Sequence, residues 1–197
     1  MAASALQDGV PSLADLMNKA KAAYAGGKFE EAVAAAAEVL SIQPKNVSAG
    51  KLHARALAGA GHYEDACIAW KKAAELSPAS TETLLNLART YRKCGRFLEV
   101  ATASARLIEL EAEYQDGQRL LVQAVTRPKG SEFPAIVWAA LAKLPLESFL
   151  ELTATLEGQK RFKDLALAVS AYAEGRAGDN KIEAERARVF KMLMMRG

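Results

Sequence analysis

Three glycines, Gly27, Gly61 and Gly95, stand 34 residues apart, and the residues around them return with the same spacing. Phe29, Tyr63 and Phe97 follow each glycine by two positions, then come Ala32, Ala66 and Val100, and Ile42, Leu76 and Leu110 close each stretch. Pro44 is answered by Pro78, whereas the third copy has Ala112 in that place. A fixed period of this size means stacked copies of one supersecondary unit, each burying its apolar face against its neighbours. The recurring residues have mechanical reasons. Glycine permits the left-handed backbone between two helices, the aromatic wedges the pair, the small residue allows close crossing, and proline ends the second helix.

Composition agrees with an all-α chain long enough to bury a core. Of its 197 residues, 51% are hydrophobic and 25% charged, while aromatics make up only 7%. The apolar share leans on alanine, the best helix former. Cys67 and Cys94 lie far apart, so neither a disulfide framework nor a zinc site is suggested, and a reducing cytosol is expected. The opening "MAASALQDGVPSLADLM" lacks a basic region followed by a long apolar one, and no later stretch approaches a membrane span. A cytoplasmic protein is expected. Net charge is +3, a weak bulk case for nucleic acid.

The spacing resembles the tetratricopeptide repeat, in its bacterial form, over three units at 13–46, 47–80 and 81–114. The resemblance implies a right-handed superhelical α-solenoid of antiparallel helix pairs. There are departures: Gly50 stands where the first and third units have Leu16 and Leu84, and Ala20, Ala54 and Ala88 stand where the family has glycine. Apolar spacing and stop signals predict helices at 13–26 with 29–42, 47–60 with 63–76, and 81–94 with 97–111. Residues 1–12 read as an extension. Residues 115–145 read as an irregular short pair, with helices at 115–126 and 135–143. The segment "TRPKGSEFP", Thr126 to Pro134, breaks the register between them and is expected to be protease-sensitive and to turn the superhelical path. Residues 146–178 read as a degenerate pair, with Phe162 in the place of the wedge aromatic. The stretch 179–197 reads as a C-terminal capping helix with Asp179 at its start.

No converging catalytic group is found, and neither a cofactor nor a metal site is expected. His53 falls on an inward-packed helical position and His62 in a turn, too differently placed for a metal pair. "AGGK" at Ala25 to Lys28 is a helix-ending turn rather than a phosphate loop. Glu30, Glu31, Glu64 and Asp65 open second helices, where carboxylates favour the helix dipole.

In tetratricopeptide arrays the first helix of each pair lines the concave surface. Carried over position by position, that resemblance implies a groove built from Met17, Lys21 and Tyr24, then Lys51 and Arg55, then Leu85, Arg89, Arg92 and Lys93. Asn86 adds an amide, and Arg119 and Arg127 continue the row. Arg92 and Lys93 read equally as a solvated helix end. Such a groove is basic and suits an acidic peptide or partner segment. It does not match the carboxylate clamp of chaperone-binding members, since Met17 and Glu82 fall where that clamp is basic. A non-catalytic protein-interaction scaffold is the first expectation. The second is the N-terminal module of a longer enzyme such as a glycosyltransferase or sulfotransferase, whose next domain would cover the apolar "KMLMM" at Lys191 to Met195. RNA binding is disfavoured, because the positions that would read bases vary too much. Phe190, Leu193 and Met194 are expected to serve either capping or self-association.

Overall fold

The computed structural model describes residues 11–127, 133–174, 176 and 178–195, and among them the chain is all-α, with eleven helices and no strand. It divides between Thr83 and Leu84 into two compact units, a boundary that falls inside the third repeat.

The first unit holds α1 (Leu13–Ala25), α2 (Phe29–Ile42), α3 (Val47–Ala60) and α4 (Tyr63–Leu76), and ends in the first residues of α5 (Thr81–Lys93). Consecutive helices pack against one another. The first helix starts at a capping box: Ser12 Oγ accepts from the Asp15 backbone N–H, and the Asp15 carboxylate accepts from that of Ser12. The Ser12 hydroxyl, which donates to the Asp15 carboxylate at 2.7 Å, and after it the Ser12 N–H hold that carboxyl below its ordinary range. Asn46 caps α3 by accepting from the Ala49 N–H at 3.0 Å. Gly27 and Gly61 take φ of 72° and 88°, the left-handed turn that the spacing predicts. That turn lets the amide after each glycine reach five residues back, Lys28 to the Ala23 carbonyl and His62 to that of Leu57, both at 2.9 Å.

The core of this unit is built largely from alanine. Ala20, Ala32, Ala36, Ala54 and Ala66 are fully buried, so helix backbones approach closely, and Trp70 is the largest side chain buried beside them. The aromatic at the start of α2 reaches further than a wedge within its own pair. The Phe29 ring lies against α3 at Gly59, where an added Cβ would come within 2.6 Å of it, and stands edge-on to Tyr24 at 5.6 Å. Ile42 and Leu76, which recur with the repeat, are exposed rather than core residues.

The second unit continues α5 and adds α6 (Phe97–Leu110), α7 (Gln115–Thr126), α8 (Ala135–Leu141), α9 (Leu146–Gly158), α10 (Phe162–Glu174) and α11 (Asn180–Met194). Gly95 repeats the left-handed turn with φ 72°. The break at Thr126 to Pro134 lies mostly outside the described residues. Beyond it, α8 packs on α6 and α10, and α9 on α7 and α10. The core here is built largely from leucine, with an aromatic pair at its centre between α9 and α10. Tyr172 stacks on Phe149 with centroids 3.7 Å apart, and its hydroxyl donates to the Leu144 carbonyl at 3.0 Å. Burial pushes that phenol above its ordinary pKa. The last helix, α11, starts where Asp179 accepts from the Lys181 N–H and packs on α10 through buried Ile182 and Val189. Arg188 ties it to Glu157 of α9 at 2.8 Å. Phe190 and Met194 remain exposed, Met194 at 86%. The side chain of Leu193 lies outside the described residues.

Candidate functional site

The first helices carry the predicted cations, and the structure gives most of them a partner from the next repeat. In the first unit, Arg55 on α3 donates to Glu82, and Lys51, one turn earlier, reaches Glu82 at 3.0 Å and the Ser80 hydroxyl at 3.1 Å. In the second unit, Arg89 on α5 donates to Asp116 at the start of α7 at 2.7 Å. Each arginine stands 27 residues before its carboxylate, so the ninth position of one repeat meets the second position of the next. Lys21 occupies the same ninth position in the first repeat, but the residue 27 further on is Ser48. Among the described residues Lys21 is exposed and makes no ion pair.

These pairs leave the arginines reachable. Arg55 keeps 40% of its side chain exposed and Arg89 48%, so the pairs contribute little to stability and serve mainly to orient the guanidinium groups. Arg92 donates to Gln123 at 3.2 Å, Lys93 is exposed at the end of α5, and Arg119 lies 3.5 Å from Asp116.

Other expected groove residues are placed differently. Leu85 is only 6% exposed and belongs to the core of the second unit, its apolar side chain packed rather than presented. Tyr24 and Met17 are half-buried against Ala20, Ala35, Ala36 and Leu52. Asn86 is half-buried, and its carbonyl accepts from the Thr90 hydroxyl. Arg127 lies over the Phe97 ring at 5.3 Å. Glu82 and Asp116 are the partners that reading single helices does not find. The signal was present as a separation of 27, seven short of the repeat.

Among the described residues no cluster of three His, Cys, Asp or Glu could hold a metal ion, and no helix is long and apolar enough to cross a membrane. Cys67 carries a buried thiol and Cys94 a half-buried one. His62 meets Glu30 at 2.8 Å on an exposed surface. His53 is half-buried; burial lowers its pKa, Asp65 opposes that shift and Lys72 adds to it.

No protein-family model and no curated protein matches the chain. Solved structures do. A tetratricopeptide repeat protein from Parabacteroides merdae shares 13% identity, with 92% of this chain and 73% of that one covered, at a TM-score of 0.59. The first repeat domain of Spaghetti (RPAP3), bound to an HSP90 peptide, shares 18% identity over 57% of this chain and 89% of its own, at 0.53. An O-GlcNAc transferase from Thermobaculum terrenum shares 21% identity over 66% of this chain and a quarter of its own length, at 0.51. With helix pairs that return every 34 residues and these structural neighbours, the chain has the tetratricopeptide-repeat fold.

Proposed function

We propose that this protein is a non-catalytic interaction scaffold whose first helices hold an acidic segment of a partner protein. The observation that carries this reading is the return of a cation at the ninth position of each repeat, Lys21, Arg55 and Arg89, with the two arginines already held by carboxylates. A guanidinium oriented by one carboxylate still has N–H donors for a second, and neighbouring cations raise the association rate of an acidic ligand. The neighbour that holds the peptide SRMEEVD supports this use of the fold.

The test begins with the intact chain as bait and the protein that co-purifies with it. Because reversal of Arg55 or Arg89 to glutamate would set two carboxylates together, the cleaner variant is Arg55→Gln with Arg89→Gln. Affinity for the identified partner should fall at least about tenfold, and wild-type binding should weaken as salt rises. The control is Lys28→Gln with Arg96→Gln, at helix-joining turns where each cation pairs with a glutamate three residues on. Equal binding by the Arg55/Arg89 variant at low salt, or equal damage in the control, would overturn the reading.

The likeness to the O-GlcNAc transferase supports a second reading, a recruitment module for an attached glycosyltransferase or sulfotransferase. A gene whose reading frame runs past Gly197 into a nucleotide-donor-binding domain is the result expected of it. A stop codon directly after Gly197 would end it.

A further inference from the structure

A cavity of about 420 Å³ opens in the first unit between the end of α2, α3 and α4. Its origin is a missing side chain. Where the first and third repeats carry the buried Leu16 and Leu84, the second carries Gly50, and a Cβ added there would meet nothing within 4 Å. Three residues on, the third repeat has the buried Leu87, whereas the second has the half-buried His53. A helical position that elsewhere fills the space between paired helices here leaves it open.

The lining sets the chemistry of an occupant. Leu40, Leu57, Ala69, Ala73 and Leu76 make it mainly apolar, and Ile68 lines it while 60% exposed. Asp65 and Lys72 stand two turns apart on α4, with opposite charges, so the site selects for neither an anion nor a cation. Asn46 also lines it, but its side chain is engaged with the Ala49 N–H and with Gln43. Beside the Asp65 and Lys72 charges, His53 is the group that can exchange hydrogen bonds with a neutral ligand, since a neutral imidazole offers one donor and one acceptor. Lys72 and the imidazole both favour the face of an aromatic ring. The volume suits a small ring system rather than a chain of several residues.

We propose that this cavity binds a neutral aromatic ring bearing one hydrogen-bonding group, of the size and chemistry of indole or a phenol. The ring is either a free small molecule or the side chain of a tryptophan or tyrosine on a partner. None of the cations assigned to the interaction face lines the cavity, so this inference stands apart from that assignment.

Ligand-observed NMR and calorimetry on the full chain, with indole, p-cresol and toluene as probes, test it. Indole and p-cresol should bind saturably, more tightly than toluene, and indole should shift the ring resonances of His53. Gly50→Leu restores the residue type found at Leu16 and Leu84; it should raise the Tm and weaken indole at least about tenfold, because the side chain occupies the ligand's volume. His53→Leu should bring indole and p-cresol down to the affinity of toluene and leave toluene unchanged. N-acetyl-tryptophanamide separates the sources: binding as tight as indole's assigns a partner side chain, and binding by indole alone assigns a free molecule. Lack of saturable binding of any ring by the unmodified chain, or unchanged indole affinity in folded Gly50→Leu, overturns the proposal.

Discussion

The two units face the same difficulty, the unpaired carbonyls at the end of every helix, and meet it by different means. In the first unit the repeat itself supplies the answer, because the glycine turn swings the next amide back onto the helix it has just left, at Ala23 and at Leu57. In the second unit the register is lost after α7, and long side chains take over. Arg161 donates to the carbonyls of Val125 and Arg127, and Gln159 to that of Thr126, which closes the end of α7 from the turn between α9 and α10. Arg176 does the same for Ala142 and Leu144 after α8, while its guanidinium lies 4.1 Å from the centre of the Tyr172 ring. Regular spacing lets the backbone satisfy itself with alanine-sized contacts. Where spacing fails, stability rests on a few large residues that serve two purposes at once.

The largest expected effect follows from that concentration. Tyr172→Ala removes a fully buried ring, the stack on Phe149 and a donor to the Leu144 carbonyl. It should cost roughly 3–5 kcal/mol by chemical denaturation. Tyr172→Phe, which keeps the stack, should cost about 1 kcal/mol. A loss for Tyr172→Ala no greater than that for Tyr172→Phe would show that the ring carries no special share of the second unit.

A smaller effect comes from a place beyond α7 where the second unit copies the first. Lys160 has φ 58°, and its successor Arg161 returns its amide to the Leu156 carbonyl at 2.9 Å, the same turn that Gly27 and Gly61 make. Lys160 also precedes Phe162 by two residues, as Gly27 precedes Phe29. A side chain in the left-handed region costs about 1–2 kcal/mol, less the entropy that glycine loses on folding. Lys160→Gly should therefore stabilise the chain by about 1 kcal/mol, whereas Gly61→Lys should destabilise it by a similar amount. Equal and opposite shifts would show that the two turns are the same device carrying different residues.

That turn also marks how far the sequence could be read. Gly27, Gly61 and Gly95, with an aromatic two residues on, place the first three pairs because the residue types are the ones the backbone demands. At the fifth pair Phe162 survives, but Lys160 hides the turn, since nothing in a lysine announces a positive φ. Local spacing also puts the cations on their first-helix positions. It does not show that Glu82 and Asp116 meet them, because those contacts join one repeat to the next rather than residues on one helix face. Leu85 was misplaced for a related reason: a position that is polar and presented in one repeat is apolar in another, and an apolar side chain there turns into the core. Gly50 was visible as a departure, yet a missing side chain becomes a cavity only if neighbours do not close over it. Ala69 and Ala73, opposite it on α4, are too short to do so.

The smallest expected effect probes that same spot. Burial in the wall of the cavity holds His53 below its ordinary pKa of 6.5, against the pull of Asp65 and with that of Lys72. Its proton is therefore bound more tightly in the unfolded chain than in the folded one. Above the ordinary value both states are neutral at this residue and its contribution to stability is flat. As the pH falls through 6.5 the unfolded chain takes up the proton first, so stability declines until the folded imidazole also titrates. Comparing wild type with His53→Gln by urea denaturation from pH 7.5 down to about pH 5 isolates this residue from His62 and the carboxylates, which both chains share. The wild type should lose stability relative to the variant over that window, and the loss should shrink if Asp65 is kept charged and Lys72 is replaced by Gln, since one of the two influences that disfavour the imidazolium is then gone. A difference that grows as the pH rises would place His53 in a site that prefers its charged form, and the neutral handle assigned to the cavity would have to be given up.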